Sequence, residues 1–547
     1  MDVGAVGKSW DLIVVGAGSA GAALAARCAD RGGRVLVVEA GPDYRSAEMD
    51  ELWRSPNTVR ATYFHPEGPG ELVWRDLVAT RTNAQAPQFY WRGRGVGGSS
   101  SINGQIAIRP PRDDYDSWAA AGCEGWSWEE VLPFFCRLES DAEFGREPYH
   151  GDSGPIPVYR TPRDEWGSVD EALARAAGGR GFSWAGDVNA PGATGVSPYP
   201  INSRDRRRVS TNDGYLEPRR GLENLSILGY ATADRVVVRG GRAIGVELVH
   251  EGRRRVEYGD EIVVCAGAIH TPGILIRSGI GPVRQLAELG LDAVAELPVG
   301  EGLQDHALVA AYLLLRPEAT IKTPDDRDMN CCVRFDSEHA DGVPNDLMVI
   351  SINQMPLPAG SPGTQAAAAD AADMGVWLSP DTEATAADAG ALCVWLNAPY
   401  SRGTIGIASA DPQAPPVVHE QMLSDERDLR RFRHGVRLLA DLMLSDDIAE
   451  ICSVSPREAN PALWHVLDDD AKLDQYLLAT VTDAMHATST CRMGPADSPS
   501  SVVDTHCRVL GVEGLRVADA SIFPSCPRAN TNLASIAVGE LVADLLA

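Results

Sequence analysis

The chain reads as an α/β protein with two kinds of sheet. Three observations predict this: a strand, glycine turn, helix and strand at the N-terminus, alternating apolar strands in the middle of the chain, and an amphipathic helix beside them. Trp10 to Val15 is a short apolar run, and Gly16-Ala17-Gly18-Ser19-Ala20-Gly21 follows it as a Gly-x-Gly-x-x-Gly turn. Ser19 to Arg31 is Ala-rich and helical in character, and Arg34 to Val38 reads as a second buried strand ending at Glu39. In that setting each glycine has a task. Gly16 makes the tight turn, Gly18 lets backbone approach a pyrophosphate, and Gly21 lets the helix pack closely on the strand. The first turn of the helix adds free N–H groups, and the Glu39 carboxylate is placed to accept both ribose hydroxyls. The unit therefore predicts a Rossmann-type, dinucleotide-binding parallel sheet.

From about Arg45 to Trp91 the chain is rich in Pro, Gly and aromatic residues with little periodicity, as an irregular lid or connector would be. Asp152 to Ser203 is similarly loop-rich. Strands resume at Val236-Val237-Val238, Ala243 to Val249 and Glu261 to Cys265, with Arg253-Arg254-Arg255 at a solvated hairpin tip. Alternation at Leu392 to Leu396 and the Gly-bounded Thr404 to Ala408 predict strands of a separate antiparallel sheet. Asp425 to Met443 has helical spacing at Phe432, Val436, Leu439 and Met443, and the Ala/Asp-rich Gln365 to Asp373 reads as a surface insertion.

A length of 547 residues predicts two or three domains with a large core. An apolar fraction of 44% and a charged fraction of 23% are ordinary for a globular protein. The formal charge of −27 disfavours nucleic acid and anionic membranes as partners. No run of 18 apolar residues occurs and no signal-peptide core precedes the first strand, so a cytoplasmic protein without a membrane span is expected. Eleven cysteines without a Cys-x-x-Cys pair argue for reduced thiols, with neither a disulfide framework nor a metal site.

The most informative stretch is Gly93 to Asp116, GRGVGGSSSINGQIAIRPPRDDYD. Gly93, Gly95, Gly97 and Gly98 remove side chains where backbone must approach a flat or anionic ligand, and Ser99, Ser100, Ser101 and Asn103 supply short-reach hydrogen bonds. The spacing Gly-Arg-x-Val-Gly-Gly-Ser-Ser-x-Ile-Asn, continued by Ala107, Pro110 and Asp116, resembles the first signature of the glucose–methanol–choline (GMC) flavin oxidoreductases. Further segments resemble the same family: Gly267 to Pro272 with Thr271 where Ser is usual, Leu297 to His306 with Gly302 where Asn is usual, His486 to Gly494, and Gly514 to Pro524 followed by Asn530-Thr531-Asn532.

The resemblance implies an FAD-binding domain that is discontinuous in sequence, with an antiparallel-sheet substrate-binding domain inserted. Its parts would be 1–160, containing the lid and flavin loop at 45–116; a loop-rich insertion at 161–202; 203–306; the substrate-binding domain at 307–480; and 481–547. Cofactor contacts fall at Gly16, Gly18, Ser19, Gly21, Glu39 and Ala40, and in the second loop at Gly95, Gly98, Ser99, Asn103 and Gly104. Val236 matches an adenine contact, while Asp519, Ala520, Asn530 and Thr531 fall near the flavin and its linker. Some members attach the flavin through a histidine directly before the Asn of the Ser-Ser-x-Asn segment; Ile102 stands there, so FAD is expected without a covalent bond.

The activity implied is oxidation of a small-molecule alcohol to an aldehyde or ketone, with hydride passing to the flavin and electrons then to O2 or another acceptor. His486 matches the base, whose ordinary pKa near 6.5 suits proton removal. Asn530 matches the group that holds the substrate oxygen, with Asn532 two residues on as the alternative. The family usually has Pro after this histidine and Gly three residues after it, where this chain has Ala487 and Ser489. His270, Asp305 and His306 read as structural. Met485 stands where choline-oxidising relatives carry an aromatic residue of a cation-binding box, which disfavours choline and leaves another cationic or amino-sugar alcohol open. The rival readings are a hydroxynitrile lyase that keeps FAD structurally, an NAD-dependent dehydrogenase, and a non-catalytic flavoprotein.

Overall fold

A computed structural model describes residues 9–63, 70–355 and 389–547. The Gln365–Asp373 stretch lies outside the described residues. A parallel sheet runs in the order Leu225–Leu228, Val35–Val38, Trp10–Val15, Arg253–Val264, Leu515–Val517. Its apolar strands are buried on both faces, as parallel strands covered by helices must be. The strand Arg253–Val264 runs on beyond the parallel part and pairs antiparallel with Arg242–His250, which pairs in turn with Ala231–Arg239. Strands from three separate stretches of chain thus share one sheet. The helix Thr531–Leu545 crosses Ser19–Asp30 so closely that a Cβ on Gly539 would lie 2.2 Å from the Ala20 carbonyl oxygen. At the same contact Glu540, fully buried, accepts from Arg27 and from the Tyr215 hydroxyl.

A second sheet has six antiparallel strands in the order Thr482–Asp483, Ala307–Leu314, Ala389–Leu396, Leu347–Ile352, Cys331–Phe335, Gly195–Pro198. Alternation divides its residues between two faces. Val309, Ala311 and Leu313 join Val333, Leu392 and Val394 under the helix Glu426–Met443, which buries Phe432, Val436, Leu439 and Met443 as its spacing predicts. Tyr312, Ile350, Cys393 and Trp395 belong to the other face, which walls the cavity described below.

Two expectations are corrected here. Residues 161–202, read as loop-rich, supply the helix Ser168–Gly179 and the edge strand Gly195–Pro198 of the six-stranded sheet. The helix buries Val169, Ala172, Leu173, Ala176 and Ala177 at helical spacing, and small alanines made that apolar face inconspicuous in sequence. The strand expected at Thr404 to Ala408 forms as Gly403–Gly406 but does not join Leu392–Leu396. It belongs to a five-stranded sheet with Glu301–Leu303, Val417–His419, Val78–Thr80 and Gln88–Phe89, so the stretch read as an irregular lid contributes two short strands. Sheet membership depends on distant partners, which local alternation does not encode.

Candidate active site

One large cavity, of about 480 Å³, runs from the carboxyl ends of the parallel strands to the inner face of the six-stranded sheet. Its first half is lined by Val15, Gly16, Gly18 and Ser19, by Val38, Glu39 and Ala40, and by Cys265 to Gly267. This is the strand-end crevice where open α/β sheets receive ligands. Gly16 has φ +103°, and a Cβ there would lie 2.5 Å from the Cys265 carbonyl oxygen; a Cβ on Gly98 would lie 2.7 Å from the Gly18 Cα. The two glycine loops therefore meet backbone to backbone. Gly98, Ser99, Asn103 and Gly104 line the cavity, and so do Asp519, Ala520, Asn530 and Thr531. Gly21 and Gly95 act one step back. Gly21 lets the first helix sit against the Gly16 carbonyl, and the Gly95 N–H donates to Glu39 at 2.9 Å.

Glu39 does more than the sequence suggests. Its Oε1 accepts from the N–H groups of Gly41 and Gly95 and its Oε2 from Ala17, which welds three loop segments together. Two carboxylate oxygens offer about four acceptor sites, so about one remains for a ribose hydroxyl. Val236 is placed otherwise than expected. It is buried off the cavity with its N–H donated to Ser278 Oγ, and Ala231, Thr232 and Ala233 of the same strand line the wall instead. Asp519 Oδ2 accepts from the Gly267 N–H and from Thr271 Oγ1 at 2.6 Å, so threonine supplies the hydroxyl where serine is usual. Burial, the largest influence on Asp519, raises its pKa.

At the far end stands His486, 9% exposed. Its Nδ1 lies 2.9 Å from His306 Nδ1, and its Nε2 is 3.1 Å from Asn530 Nδ2. The proton positions follow from the partners. His306 Nε2 faces the Pro527 carbonyl oxygen at 3.0 Å, which only accepts, so Nε2 carries the hydrogen. His306 Nδ1 then accepts, His486 Nδ1 donates, and the lone pair of His486 Nε2 accepts from the Asn530 Nδ2 amide at the cavity wall. Asp305 Oδ1 accepts from the backbone N–H of both histidines, fixing the two segments that carry them. His306, read as structural from sequence, thus touches the imidazole it orients, 180 residues away in the chain. Trp395, which no sequence motif marked, stands edge-on to His486 at 5.6 Å between ring centroids. Asn532 turns elsewhere: its Oδ1 accepts from Ser19 Oγ and its Nδ2 donates to Asn202.

Burial depresses the pKa of both imidazoles, His306 to about 4 and His486 well below its ordinary value, the latter also opposed by His306 and Arg92. Both rings are neutral at pH 7. Two groups with metal-ligand spacing also form among the described residues, Glu139/Asp141/His150 and Asp305/Glu420/Asp483, which no sequence spacing announced. In each, arginine already meets the carboxylates: Arg109 and Arg160 in the first, Arg81 in the second with Arg92 3.6 Å from Asp305.

The cradle fits a dinucleotide cofactor. Glycines of both loops line it, the N-termini of the helices Ser19–Asp30 and Thr531–Leu545 reach the cavity wall, and the buried Asn530 Oδ1 has no partner among the described residues. Such a site on such a fold defines a nucleotide-dependent oxidoreductase. The sequence matches the GMC oxidoreductase model over residues 10–308 and again over 399–539, and the chain belongs to the GMC family of oxidoreductases. It is a flavin-dependent enzyme acting on alcohols, and its cofactor is FAD. Among its relatives, the 5-(hydroxymethyl)furfural oxidase of Methylovorus sp. (strain MP688) is 32% identical, with 98% of each chain covered. An oxygen-dependent choline dehydrogenase of Brucella canis is 33% identical over 98% of this chain and 95% of its own. The crystal structure of pyridoxine 4-oxidase from Mesorbium loti superposes with a TM-score of 0.85 at 26% identity, covering 98% of this chain and 99% of that one. No helix among the described residues is long and apolar enough to cross a membrane.

Proposed function

We propose that the protein oxidises the hydroxymethyl group of a small, uncharged, flat alcohol to the aldehyde, with His486 as the base and Asn530 as the group that holds the oxygen. The observation that carries this reading is the pairing of His486 Nε2 with Asn530 Nδ2 at 3.1 Å on the cavity wall. A hydroxyl oxygen that displaces this direct bond donates its proton to Nε2 and accepts from the amide. His306 keeps Nδ1 of His486 protonated, so the ring receives the new proton only at Nε2, and it stays hydrogen-bonded to the ring once that is charged. FAD, when bound, supplies the acceptor for the hydride that leaves the carbinol carbon. The residues that would hold it are the Gly16–Ser19 turn, Glu39, the Gly98–Gly104 loop and Asp519 to Thr531. Ile102, 9% exposed on the cavity wall, has no atom able to bond a flavin, which supports non-covalent attachment.

The substrate class follows from the wall. Leu308, Ala310, Tyr312, Ile350, Cys393 and Trp395 make it apolar and aromatic, and the nearby Asp483 is occupied by Arg81 at 2.8 Å. Among the described residues of that wall a cationic headgroup would find no free carboxylate. A hydroxymethyl-bearing aromatic ring suits the same surface, in keeping with the names of the furfural and pyridoxine oxidases. Anaerobic mixing with a panel of alcohols, read by loss of the oxidised-flavin absorbance, is the test. Bleaching by choline or amino sugars but not by hydroxymethyl aromatics would overturn the substrate class. A stable yellow spectrum with every alcohol, joined to cyanohydrin cleavage, would overturn oxidation itself. Peroxide measured on readmission of air assigns O2 as the acceptor, and its absence assigns another.

A further inference from the structure

Outside the cavity, two arginines meet with no ion-pair partner among the described residues; the exposed Glu301 acts on Arg492 only through space. Arg402, directly before the strand Gly403–Gly406, donates only to the carbonyl oxygens of Gly302 at 3.2 Å and Pro524 at 3.4 Å. Arg492, six residues after His486, has no hydrogen-bond or ion-pair partner among the described residues, and its Nε is buried without one. Both guanidinium groups close over Gly302, where φ is +88°. A Cβ there would lie 3.3 Å from Arg492 Nε and 3.4 Å from Arg402 Nη1. Burial first, and the neighbouring Arg492 charge second, hold Arg402 down to about 10. The chain has 76 acidic and 49 basic side chains, yet none among the described residues forms an ion pair with either arginine, and Glu301 balances Arg492 only weakly, the Arg492 pKa staying lowered by burial. Paired, half-buried guanidinium groups repel each other and lose hydration, costs that an anion between them removes.

We propose that Arg402 and Arg492, framing Gly302, form a binding site for a small free oxyanion, a phosphate or a carboxylate. Three features of the place support it. Gly302 replaces the Asn expected from the family motif, which clears side-chain volume between the two forks. Neither arginine lines the cavity, so the site is separate from the reacting groups. An anion there bridges the Glu301–Leu303 segment to the His486–Gly494 segment, which are already joined by Gly300 N–H to Thr490 O at 2.7 Å and Thr488 N–H to Gln304 O at 2.9 Å. These two segments lead to His306 and to His486, so an occupied site braces the histidine pair from behind. Guanidinium forks match both candidate anions in a bidentate manner.

The test is thermal unfolding of the FAD-loaded enzyme in chloride, phosphate or acetate at equal ionic strength. A saturable rise of a few degrees in phosphate or in acetate, absent in chloride, is expected, and the anion that saturates at lower concentration identifies the source. Arg492→Gln and Gly302→Asn should each abolish the saturable part while retaining the flavin spectrum; asparagine tolerates positive φ, so the second variant tests the site should the first fold poorly. A crystal soaked in selenate should carry an anomalous peak between Arg402 and Arg492. Equal melting in all three salts with no such peak, or a saturable rise undiminished in Gly302→Asn, would overturn the proposal.

Discussion

The two ends of the cavity are built on opposite principles. The dinucleotide end is made of backbone: Gly16, Gly18 and Gly98 contribute close approach, and even Glu39 spends most of its acceptors on loop N–H groups. The reacting end is made of side chains that arrive from four distant parts of the chain, His306, Trp395, His486 and Asn530. A backbone cradle tolerates few side chains but needs little tuning. A side-chain constellation depends on protonation states, and its neighbours titrate.

The comparison predicts its sharpest break at His486. Replacing it with Ala should retain FAD yet slow flavin reduction by about 100- to 10,000-fold, the usual worth of a general base. The residual rate should climb with pH as hydroxide substitutes for the ring. Single-turnover reduction from pH 5 to 10 measures this, and a wild-type rate and profile would remove His486 from its role. Asn530→Ala should cost less, about 10- to 1,000-fold, while the histidine-dependent pH profile stays in place.

At the other end the defect should change character. Gly98→Ala forces a methyl toward the Gly18 Cα at 2.7 Å from a backbone already at φ +51°. Loss of FAD on dialysis and a stability loss of roughly 1–3 kcal/mol are expected. Any purified fraction that stays yellow should react at a near-normal rate, because no reacting group has moved. Normal FAD retention would show that the two loops yield more readily than the contact suggests.

A subtler prediction concerns the acids beneath the histidines. Glu420 is buried, and neither oxygen has a hydrogen-bond partner among the described residues; its pKa is pushed well above the ordinary value by burial and then by Asp483 and Asp305, and Asp305 is itself pushed up to about 7, burial again leading. Each holds a proton in the folded state that the unfolded chain releases above about pH 4. Their contribution to stability therefore falls as pH rises from about 4 through their folded pKa values. The depressed histidines act in the reverse sense, favouring the folded state as pH rises from about 4 to 6.5. Glu420→Gln cancels part of the first effect, so its melting temperature at pH 8 relative to pH 5 should exceed the wild-type difference. Identical pH slopes would mean that Glu420 does not titrate in this range.

The smallest effect belongs to Ser489, fully buried at φ +69° where the family usually has glycine. Ser489→Gly should raise stability by about 1 kcal/mol or less, because relief of left-handed strain is partly offset by glycine's greater chain entropy. A chemical denaturation midpoint at or below the wild-type value would place the strain elsewhere.

What the sequence disclosed follows the same division. The Gly16 turn and the Gly93–Asp116 loop were legible because a backbone cradle is encoded locally, in consecutive residues whose spacing is itself the message. Phe432, Val436, Leu439 and Met443 were legible for a like reason, since helical periodicity is a local property. His486 and Asn530 came only through resemblance, and His306 was assigned to the scaffold because a single histidine carries no periodic signal of what it will touch. Its place beside Asp305 in a family-like motif was the one clue. Val236 lies off the cavity while Ala231 to Ala233 of its strand line it, and no local pattern tells which sheet receives Gly403–Gly406.

The crossing of Thr531–Leu545 on Ser19–Asp30 bears on how the protein is made. The first helix emerges from the ribosome long before its covering partner and before the sheet strand Leu515–Val517. At roughly 5–20 residues per second the N-terminal unit waits on the order of tens of seconds with an Ala-rich apolar face uncovered. Cofactor uptake must then await these elements, and a chain cut before Leu515 lacks both an edge of its sheet and the lid on its first helix.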